Sequence, residues 1–130
     1  MTNLIPYLVF SGNCKEAMEF YAMTLNGRIT SVTTFGESPI DVPLESKDRI
    51  FDCTLEAENI RFKASDDLPN HSVKHGSNFS LFLSFSNQDK KKEIFNKLSQ
   101  GGHILFQLED GFGMLKDKFG VQWMLVGKAK

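Results

Sequence analysis

The chain has 130 residues, of which 41% are hydrophobic and 24% are charged, and its formal net charge is −1. This length and composition predict one globular domain and exclude an intrinsically disordered chain. The charges are scattered rather than clustered into the basic face that a nucleic-acid partner requires, and the longest uncharged apolar run, residues 4–10, is far too short to span a membrane.

The N-terminus and the cysteines indicate a cellular setting. No basic stretch followed by an apolar core is visible at the N-terminus, so we expect no secretory signal peptide. Two cysteines, Cys14 and Cys53, do not make a disulfide framework, and we expect a reduced, cytoplasmic environment. The twelve phenylalanines must fill a core, line a pocket or lie in an interface.

The first half of the chain predicts one helix and four strands. The helix covers 13–25, and the strands cover 4–10, 28–35, 49–56 and 59–64. Asn13 and Glu16 form a capping-box pattern at the start of the helix, and Asn26-Gly27 tolerates the left-handed conformation that ends a helix. Residues 36–48 hold two prolines and mixed charge, which predicts a long surface loop.

The same order of elements restarts after a polar linker at 65–78. The second helix runs from Ser86 or Asn87 to Leu98 and stops at Gly101-Gly102, while the strands cover 79–85, 103–108, 113–116 and 121–126. Asp117 and Gly120 bracket a tight turn before the last strand. The repetition predicts a duplicated βαβββ module, at 1–68 and 77–130, within a single domain at 1–130.

Strand alternation predicts two unlike faces, because side chains alternate with period two. One predicted face, which is apolar and suits packing under a helix, holds Phe51, Cys53 and Leu55 in the third strand, Phe79, Leu81, Leu83 and Phe85 in the fifth, and Trp123 and Leu125 in the last. The other predicted face holds Asp52, Thr54 and Glu56, then Ser80, Phe82 and Ser84, then Gln122, Met124 and Val126. From alternation alone, this second face either is solvated or lines a cavity.

Histidines give weak signals for a reactive site. His71 and His75 have the four-residue spacing of helical metal ligands, but they lie in the polar linker and are best interpreted as solvated loop residues. His103 begins a strand and is interpreted as structural.

Cysteine and aspartate side chains leave alternatives open. Cys53 is interpreted as a buried hydrophobe, whereas Cys14, in the first helical turn, could have a lowered thiol pKa and react. Asp52 beside Thr54 could be a general base, or it could bond to a backbone amide or a neighbouring arginine.

Four motifs resemble those of one known family. Residues 117–124 (D-x-F-G-V-x-W-M) resemble its closing strand, residues 6–21 its G-N-C turn and A-x-x-F-Y helix, residues 65–69 its S-D-x-x-P, and residues 98–102 the end of its second helix. The motifs are spread from residue 6 to residue 124, so the resemblance extends over nearly the whole chain. The family is the PhnB-like, or demethylubiquinone methyltransferase-like, branch of the vicinal oxygen chelate superfamily, which includes glyoxalases, bleomycin-resistance proteins and extradiol dioxygenases. In one departure, the short segment Gln107 to Gly113 stands where the family has an aromatic Trp-containing loop.

The resemblance implies the glyoxalase/bleomycin-resistance fold. This is an α+β fold in which duplicated βαβββ modules form a curled mixed sheet around a cavity, with the helices outside. Superfamily enzymes hold a divalent ion with His, Gln or Glu from four strands, and the matching positions here are Pro6, which is uncertain by one residue, Asp52, Ser80 and Met124. Only Asp52 is a plausible ligand, and three protein ligands are the usual minimum. We therefore expect no divalent metal and no other cofactor.

Two interpretations of function remain open. The first is a protein that binds a small hydrophobic or aromatic ligand without a catalytic metal, as bleomycin-resistance relatives sequester theirs. The predicted ligand pocket consists of Phe10, Phe35, Asp52, Thr54, Phe62, Ser80, Phe82 and Met124. The second is a metal-free or ligand-displaced superfamily enzyme, of lyase, isomerase, dioxygenase or methyltransferase-like type, with Asp52 as catalytic candidate. The sequence shows no Gly-rich strand–turn–helix for a nucleotide-like methyl donor. Uncovered sheet edges also predict a homodimer.

Overall fold

The computed structural model describes residues 1–109 and 111–127, which form two compact units, the first ending at Val73 and the second beginning at Lys74. In the first unit the elements are β1 (Tyr7–Phe10), α1 (Cys14–Thr24), β2 (Arg28–Thr34), β3 (Ile50–Ala57) and β4 (Ile60–Asp66). The four strands form one mixed sheet in the order β1-β4-β3-β2, in which only the β1–β4 pair is parallel. In the loop between β2 and β3 lie two short 3-10 turns, Phe35–Glu37 and Leu44–Ser46.

The second unit repeats this order of elements. They are β5 (Leu81–Phe85), α2 (Gln88–Ser99), β6 (His103–Glu109), β7 (Phe112–Lys116) and β8 (Gln122–Gly127). The sheet order is β5-β8-β7-β6, and again only the first pair is parallel. The predicted duplication of a βαβββ module is therefore confirmed. The segment Gln107 to Gly113 contains the end of β6 and the start of β7, apart from residue 110, which lies outside the described residues.

The core of the first unit lies between α1 and one face of its sheet, called here the helix face. The α1 residues Ala17, Met18 and Tyr21 are at most 1% exposed. The Tyr21 ring meets the Phe62 ring of β4 edge-on, with centroids 5.9 Å apart. Leu55 of β3 is fully buried. The opposite side of the sheet is called the far face of the first unit.

The start of α1 differs from the prediction. Asn13 makes no side-chain capping bond, so the predicted capping box with Glu16 is wrong. Instead, Oδ1 of Asp66, at the end of β4, accepts hydrogen bonds from the amides of Gly12 and Cys14 at 2.9 Å each. An ionised carboxylate is a stronger acceptor than an amide oxygen, and the parallel β1–β4 pairing places it beside the helix start.

Other helix ends follow the sequence signals. The Asn87 side chain caps α2 by accepting a 3.0 Å bond from the Lys90 amide. Asn26 and Gly101 take positive φ angles of 57° and 78° after α1 and α2, as expected of left-handed helix ends.

A bulge in β3 overturns the predicted alternation at Phe51. In the pairing with β2, Thr33 lies opposite Asp52 and Thr34 opposite Ile50, so Phe51 is the extra residue. The bulge lets Ile50 and Cys53 line the same depression beside α1, while Phe51 and Asp52 line another depression together. Phe51 is therefore on the far face, not on the face of Cys53 where strict alternation places it.

In the second unit the alternation of the last strand is confirmed. Trp123 and Leu125 are 1% and 0% exposed, whereas Met124 between them is only half-buried. Met124 is flanked across the sheet by Phe82 of β5 and Met114 of β7, and Met114 in turn lies opposite Phe106 of β6. The sheet face away from α2 thus carries an apolar row whose outer members, Phe82 and Phe106, are 60% and 58% exposed.

Candidate functional site

A hydrogen-bonded cluster of Tyr7, Asp52 and Lys63 lies on the far face of the first unit. The Tyr7 hydroxyl donates to Oδ1 of Asp52 at 3.0 Å, and the Lys63 ammonium donates to Oδ2 of Asp52 at 3.1 Å. Lys63 also donates to Oγ1 of Thr54 at 2.8 Å, and Thr54 accepts a further bond from Ser31 at 3.2 Å. A carboxylate, an ammonium and a phenol therefore form one connected group.

Strand register explains why these residues meet. Tyr7 lies opposite Lys63 in the parallel β1–β4 pair, and Lys63 lies opposite Thr54 in the antiparallel β3–β4 pair. Directly paired residues on one face have side chains within contact range. Asp52 is two positions from Thr54 in β3, so ordinary alternation places both side chains on the same face, within reach of the Lys63 ammonium.

The electrostatics of the cluster follow from its partial burial. The side chains of Lys63 and Asp52 are 28% and 32% exposed, so solvent and salt weaken their ion pair less than they weaken a pair on the open surface. The pKa of Tyr7 is raised, first by burial and further by the hydrogen bond and negative charge of Asp52, although a hydrogen bond with Ser65 opposes the rise. Tyr7 is therefore a neutral phenol at physiological pH.

Beside the cluster is a depression of about 480 Å³, called here the far-face depression. One side is aromatic, since the rings of Phe35 and Phe51 meet at 76° with centroids 5.5 Å apart. Ile40 and Leu68 extend this apolar side. The full lining is Tyr7, Thr33, Phe35, Ile40, Phe51, Asp52, Ser65, Asp66, Asp67 and Leu68. The depression thus joins an aromatic wall to the polar end formed by Tyr7 and Asp52.

Comparison with known proteins identifies the family. Residues 2–126 match the sequence profile of the family described as 3-demethylubiquinone-9 3-methyltransferase. The chain belongs to this family. This is the PhnB-like family that the sequence motifs predicted. Protein YjdN of Escherichia coli strain K12 is 30% identical in an alignment 136 positions long that spans 94% of this chain and 92% of YjdN.

Solved structures show the same architecture. The crystal structure of PA1353 from Pseudomonas aeruginosa is 30% identical with a TM-score of 0.87, and the match covers 100% of both chains. The PhnB protein from Bacillus cereus is 26% identical with a TM-score of 0.80, covering 97% of this chain and 99% of that one. The fosfomycin resistance protein FosX of Listeria monocytogenes is 7% identical with a TM-score of 0.68, and the match covers 98% of this chain and 92% of FosX. This likeness shows the fold alone. The glyoxalase/bleomycin-resistance fold class is confirmed.

The residues predicted for the ligand pocket are distributed over several places in this PhnB-like protein. Asp52, Thr54 and Phe35 lie at or beside the far-face depression, although Thr54 is only 4% exposed and acts as a partner of Lys63. Phe10 and Phe62 do not line it. The exposed residues of β1 alternate with Phe10, which is 2% exposed, and Phe62 contacts α1, so both belong to the helix-face core.

The remaining predicted pocket residues belong to the second unit. Ser80 accepts a 2.7 Å hydrogen bond from the Gln122 side chain, whereas Phe82 and Met124 belong to the apolar row across that sheet. Their place in a ligand pocket stays a prediction.

Sequence reasoning missed two members of the cluster. Asp52 bonds to Lys63 and Tyr7, whereas the sequence suggested a backbone amide or an arginine as its possible partner. The family comparison placed one metal-ligand position at Pro6, with an uncertainty of one residue. In the structure, the next residue, Tyr7, is the one whose side chain contacts Asp52. The Pro6 carbonyl instead accepts a 2.9 Å bond from the Lys63 amide. Only the strand register, which the sequence does not state, could have found Lys63.

The residues of this site do not fit the divalent metal that superfamily enzymes hold. The Asp52 carboxylate already binds the Lys63 ammonium, a cation that a metal would have to displace. Within residues 1–109 and 111–127, no group of three or more His, Cys, Asp and Glu side chains could hold a metal ion. Nδ1 of His71 lies 3.6 Å from Asp67, so its partner is a neighbouring carboxylate and not His75. Across the same residues, no helix is both long and apolar enough to cross a membrane.

Proposed function

We propose that this protein binds a small molecule with a flat apolar group and a neutral polar end, without a catalytic metal. One observation carries the proposal: the Phe35–Phe51 ring pair and the Asp52–Tyr7 hydrogen bond line the same depression. Ligand sites combine a largely apolar lining with a few placed polar groups in volumes of roughly 300–1,000 Å³. At about 480 Å³, the far-face depression lies within that range.

The polar end favours a neutral group over a charged one. The charges of Lys63 and Asp52 neutralise each other, so this pair attracts neither a cation nor an anion strongly. The Tyr7 hydroxyl donates to Asp52 and retains lone-pair capacity, so it can accept a hydrogen bond from a ligand hydroxyl or amide. The aromatic wall offers edge and face contacts to a ring. These features support a small aromatic or hydrophobic ligand with one hydrogen-bond donor.

Binding of the neutral aromatic dye N-phenyl-1-naphthylamine, followed by fluorescence, tests the proposal. We expect Phe51→Ala and Ile40→Ala to weaken binding by about tenfold or more, because each removes apolar area from the wall. Met23→Ala is the matched control, since Met23 on α1 is 78% exposed and lies outside the lining. Equal weakening by all three variants would show adventitious adsorption, and no change in the first two would reject the site.

A second candidate is a metal-free enzyme that transfers a proton. The specific observation in its favour is that the Asp52 carboxylate, hydrogen-bonded to Tyr7, borders the far-face depression. A carboxylate within reach of a bound ligand can act as a general base. Asp52→Asn separates the two candidates, because it should abolish turnover of any substrate while retaining most of the binding. Methyl transfer is supported only by the description of the family.

We also propose a cytoplasmic homodimer. Both cysteines are free thiols, which suits a reducing compartment. β2 and β6 are outer strands of their sheets, and outer strands present unpaired backbone groups that proteins usually cover. Both strands expose apolar side chains, among them Val32 at 52% and Phe106 at 58%. A second copy of the chain on these edges would bury them.

A further inference from the structure

The two cysteines, which the sequence places 39 positions apart, are neighbours in the first unit. Their sulfur atoms are 3.8 Å apart, between the first residue of α1 and the middle of β3. Cys14 is 0% exposed and Cys53 2% exposed, and both are free thiols. A disulfide needs a sulfur–sulfur distance of about 2.05 Å, so a shift of less than ~2 Å at the start of α1 would allow one to form.

One of the two cysteines, Cys53, borders a depression that is open to solvent. Cys53 lines a depression of about 480 Å³ on the helix face, together with Met18 of α1, Val32 of β2 and Ile50 of β3. This helix-face depression is distinct from the far-face depression, and the two lie on opposite sides of one sheet. Its volume is ample for a molecule the size of hydrogen peroxide.

The two thiols have different roles. Either thiol can donate the hydrogen bond between the two sulfur atoms. This bond is the main cause that lowers the pKa of Cys53, although burial opposes the shift. The pKa of Cys14 is raised by that same hydrogen bond, by burial and by the negative charge of Asp66. Cys53 lines the helix-face depression whereas Cys14 is 0% exposed, so peroxide reaches Cys53 first and we assign Cys53 as the nucleophile.

We propose that Cys14 and Cys53 form an oxidation site at which hydrogen peroxide converts the dithiol to a disulfide. The Cys53 thiolate attacks one peroxide oxygen, so a sulfur–oxygen bond forms, the oxygen–oxygen bond breaks, and hydroxide leaves as water after taking up a proton. The Cys14 sulfur then attacks the Cys53 sulfur. The sulfur–sulfur bond forms, the sulfur–oxygen bond breaks, and the oxygen leaves as a second water with the Cys14 proton. One peroxide and two thiols give one disulfide and two waters.

Backbone contacts explain why the disulfide would form within one chain. Cys53 is held in a central strand opposite Ala64, and the Cys14 amide is held by Asp66 of the adjacent strand. Both sulfurs are thus kept together in a buried site that excludes other thiols. Oxidation would fix the start of α1 to the sheet by a covalent bond.

Treatment of the folded protein with one equivalent of hydrogen peroxide, followed by mass spectrometry without reduction, tests the proposal. We expect intact mass to fall by two hydrogen atoms, both thiols to be lost together, and a Cys14–Cys53 linked peptide to appear. Dithiothreitol should restore both thiols. Retention of both thiols in the folded protein, a linkage between chains, or a reaction seen only in denaturant would overturn it.

Single variants test the order of events. With Cys14→Ser we expect a sulfenic acid on Cys53 that the reagent dimedone traps, because the second thiol is missing. With Cys53→Ser we expect Cys14 to resist peroxide. Labelling of Cys14 at the wild-type rate in Cys53→Ser would reverse the assigned roles and contradict the mechanism. Circular dichroism tests whether each variant is folded. If a variant does not fold, the peptide map of the oxidised wild-type protein decides the proposal on its own.

Discussion

The Asp117 carboxylate and the Trp123 indole are joined by a 2.8 Å hydrogen bond from Nε1 of the indole to Oδ2. Oδ1 of the same carboxylate accepts bonds from the amides of Phe119 and Val121 at 2.8 and 3.1 Å. Asp117 is 3% exposed, so one buried carboxylate satisfies three donors and fixes the turn to the strand that follows. This relation explains why a polar residue is buried beside the only tryptophan.

Replacing Trp123 should be costly. We expect Trp123→Ala to lower the free energy of unfolding by about 3–5 kcal/mol, as large core truncations do. Trp123→Phe keeps part of the apolar contact but leaves Oδ2 of Asp117 without the indole donor, which costs about 1–3 kcal/mol. A denaturant melt measures both. A change near zero for Trp123→Ala would show that the side chain is not in the core.

Asp66 should be the most sensitive carboxylate in the first unit. Its two oxygens accept bonds from the amides of Gly12, Cys14 and Ile50, each at 2.9 Å. Each buried donor left without a partner costs about 1–3 kcal/mol, so we expect Asp66→Ala to lose ~3 kcal/mol or more in a denaturant melt. Asp67→Ala is the matched control, because the Leu68 amide that it bonds is exposed, and should lose less than about 1 kcal/mol. Similar losses in both variants would contradict the capping role.

Tyr7 should titrate above its ordinary value of 10.0, because burial and Asp52 raise its pKa. The folded state therefore favours the neutral phenol, and the stability from this group is present below about pH 10 and is lost as pH rises through the raised pKa. The difference in phenolate absorbance between the wild type and Tyr7→Phe isolates the titration of Tyr7 from that of Tyr21. In Asp52→Asn the Tyr7 titration should shift downward. A Tyr7 titration at or below 10.0 would show that the phenol is not held as described.

Metal content should not depend on Asp52. Because Lys63 occupies the carboxylate, we expect the purified protein to hold less than stoichiometric Ni, Zn, Mn or Fe by elemental analysis. Asp52→Ala should leave that content unchanged. A stoichiometric, tightly held metal in the wild type that is lost in the variant would reject the metal-free proposal.

Sedimentation equilibrium at micromolar protein should give twice the single-chain mass of 14.7 kDa. The physical reason is that the exposed apolar residues of the outer strands need covering. Phe106→Asp, on the outer strand β6, should shift the mass toward the single-chain value, whereas Met23→Asp on the helix surface should not. A wild-type mass near 14.7 kDa would rule out the dimer.

The local features of this fold could be predicted from the sequence. Three such features depend on residues only a few positions apart. They are the Asp117–Gly120 turn, the Asn87 cap, and the contrast between the buried Trp123 and the half-buried Met124. Turn chemistry, capping and strand alternation act over that range, so their signals are readable along the chain. The duplicated module follows because the same signals occur twice.

The site depended on relations that no local signal contains. Asp52 meets Tyr7, 45 positions away, because of strand register, and a bulge brings Phe51 to the same face, which alternation alone predicts wrongly. Asp66, and not Asn13, caps α1 for the same reason, and Cys14 reaches Cys53 only because α1 packs on β3. Periodicity assigns a side chain to a face, but the partner on that face is set by pairing between distant strands, which only the tertiary structure decides.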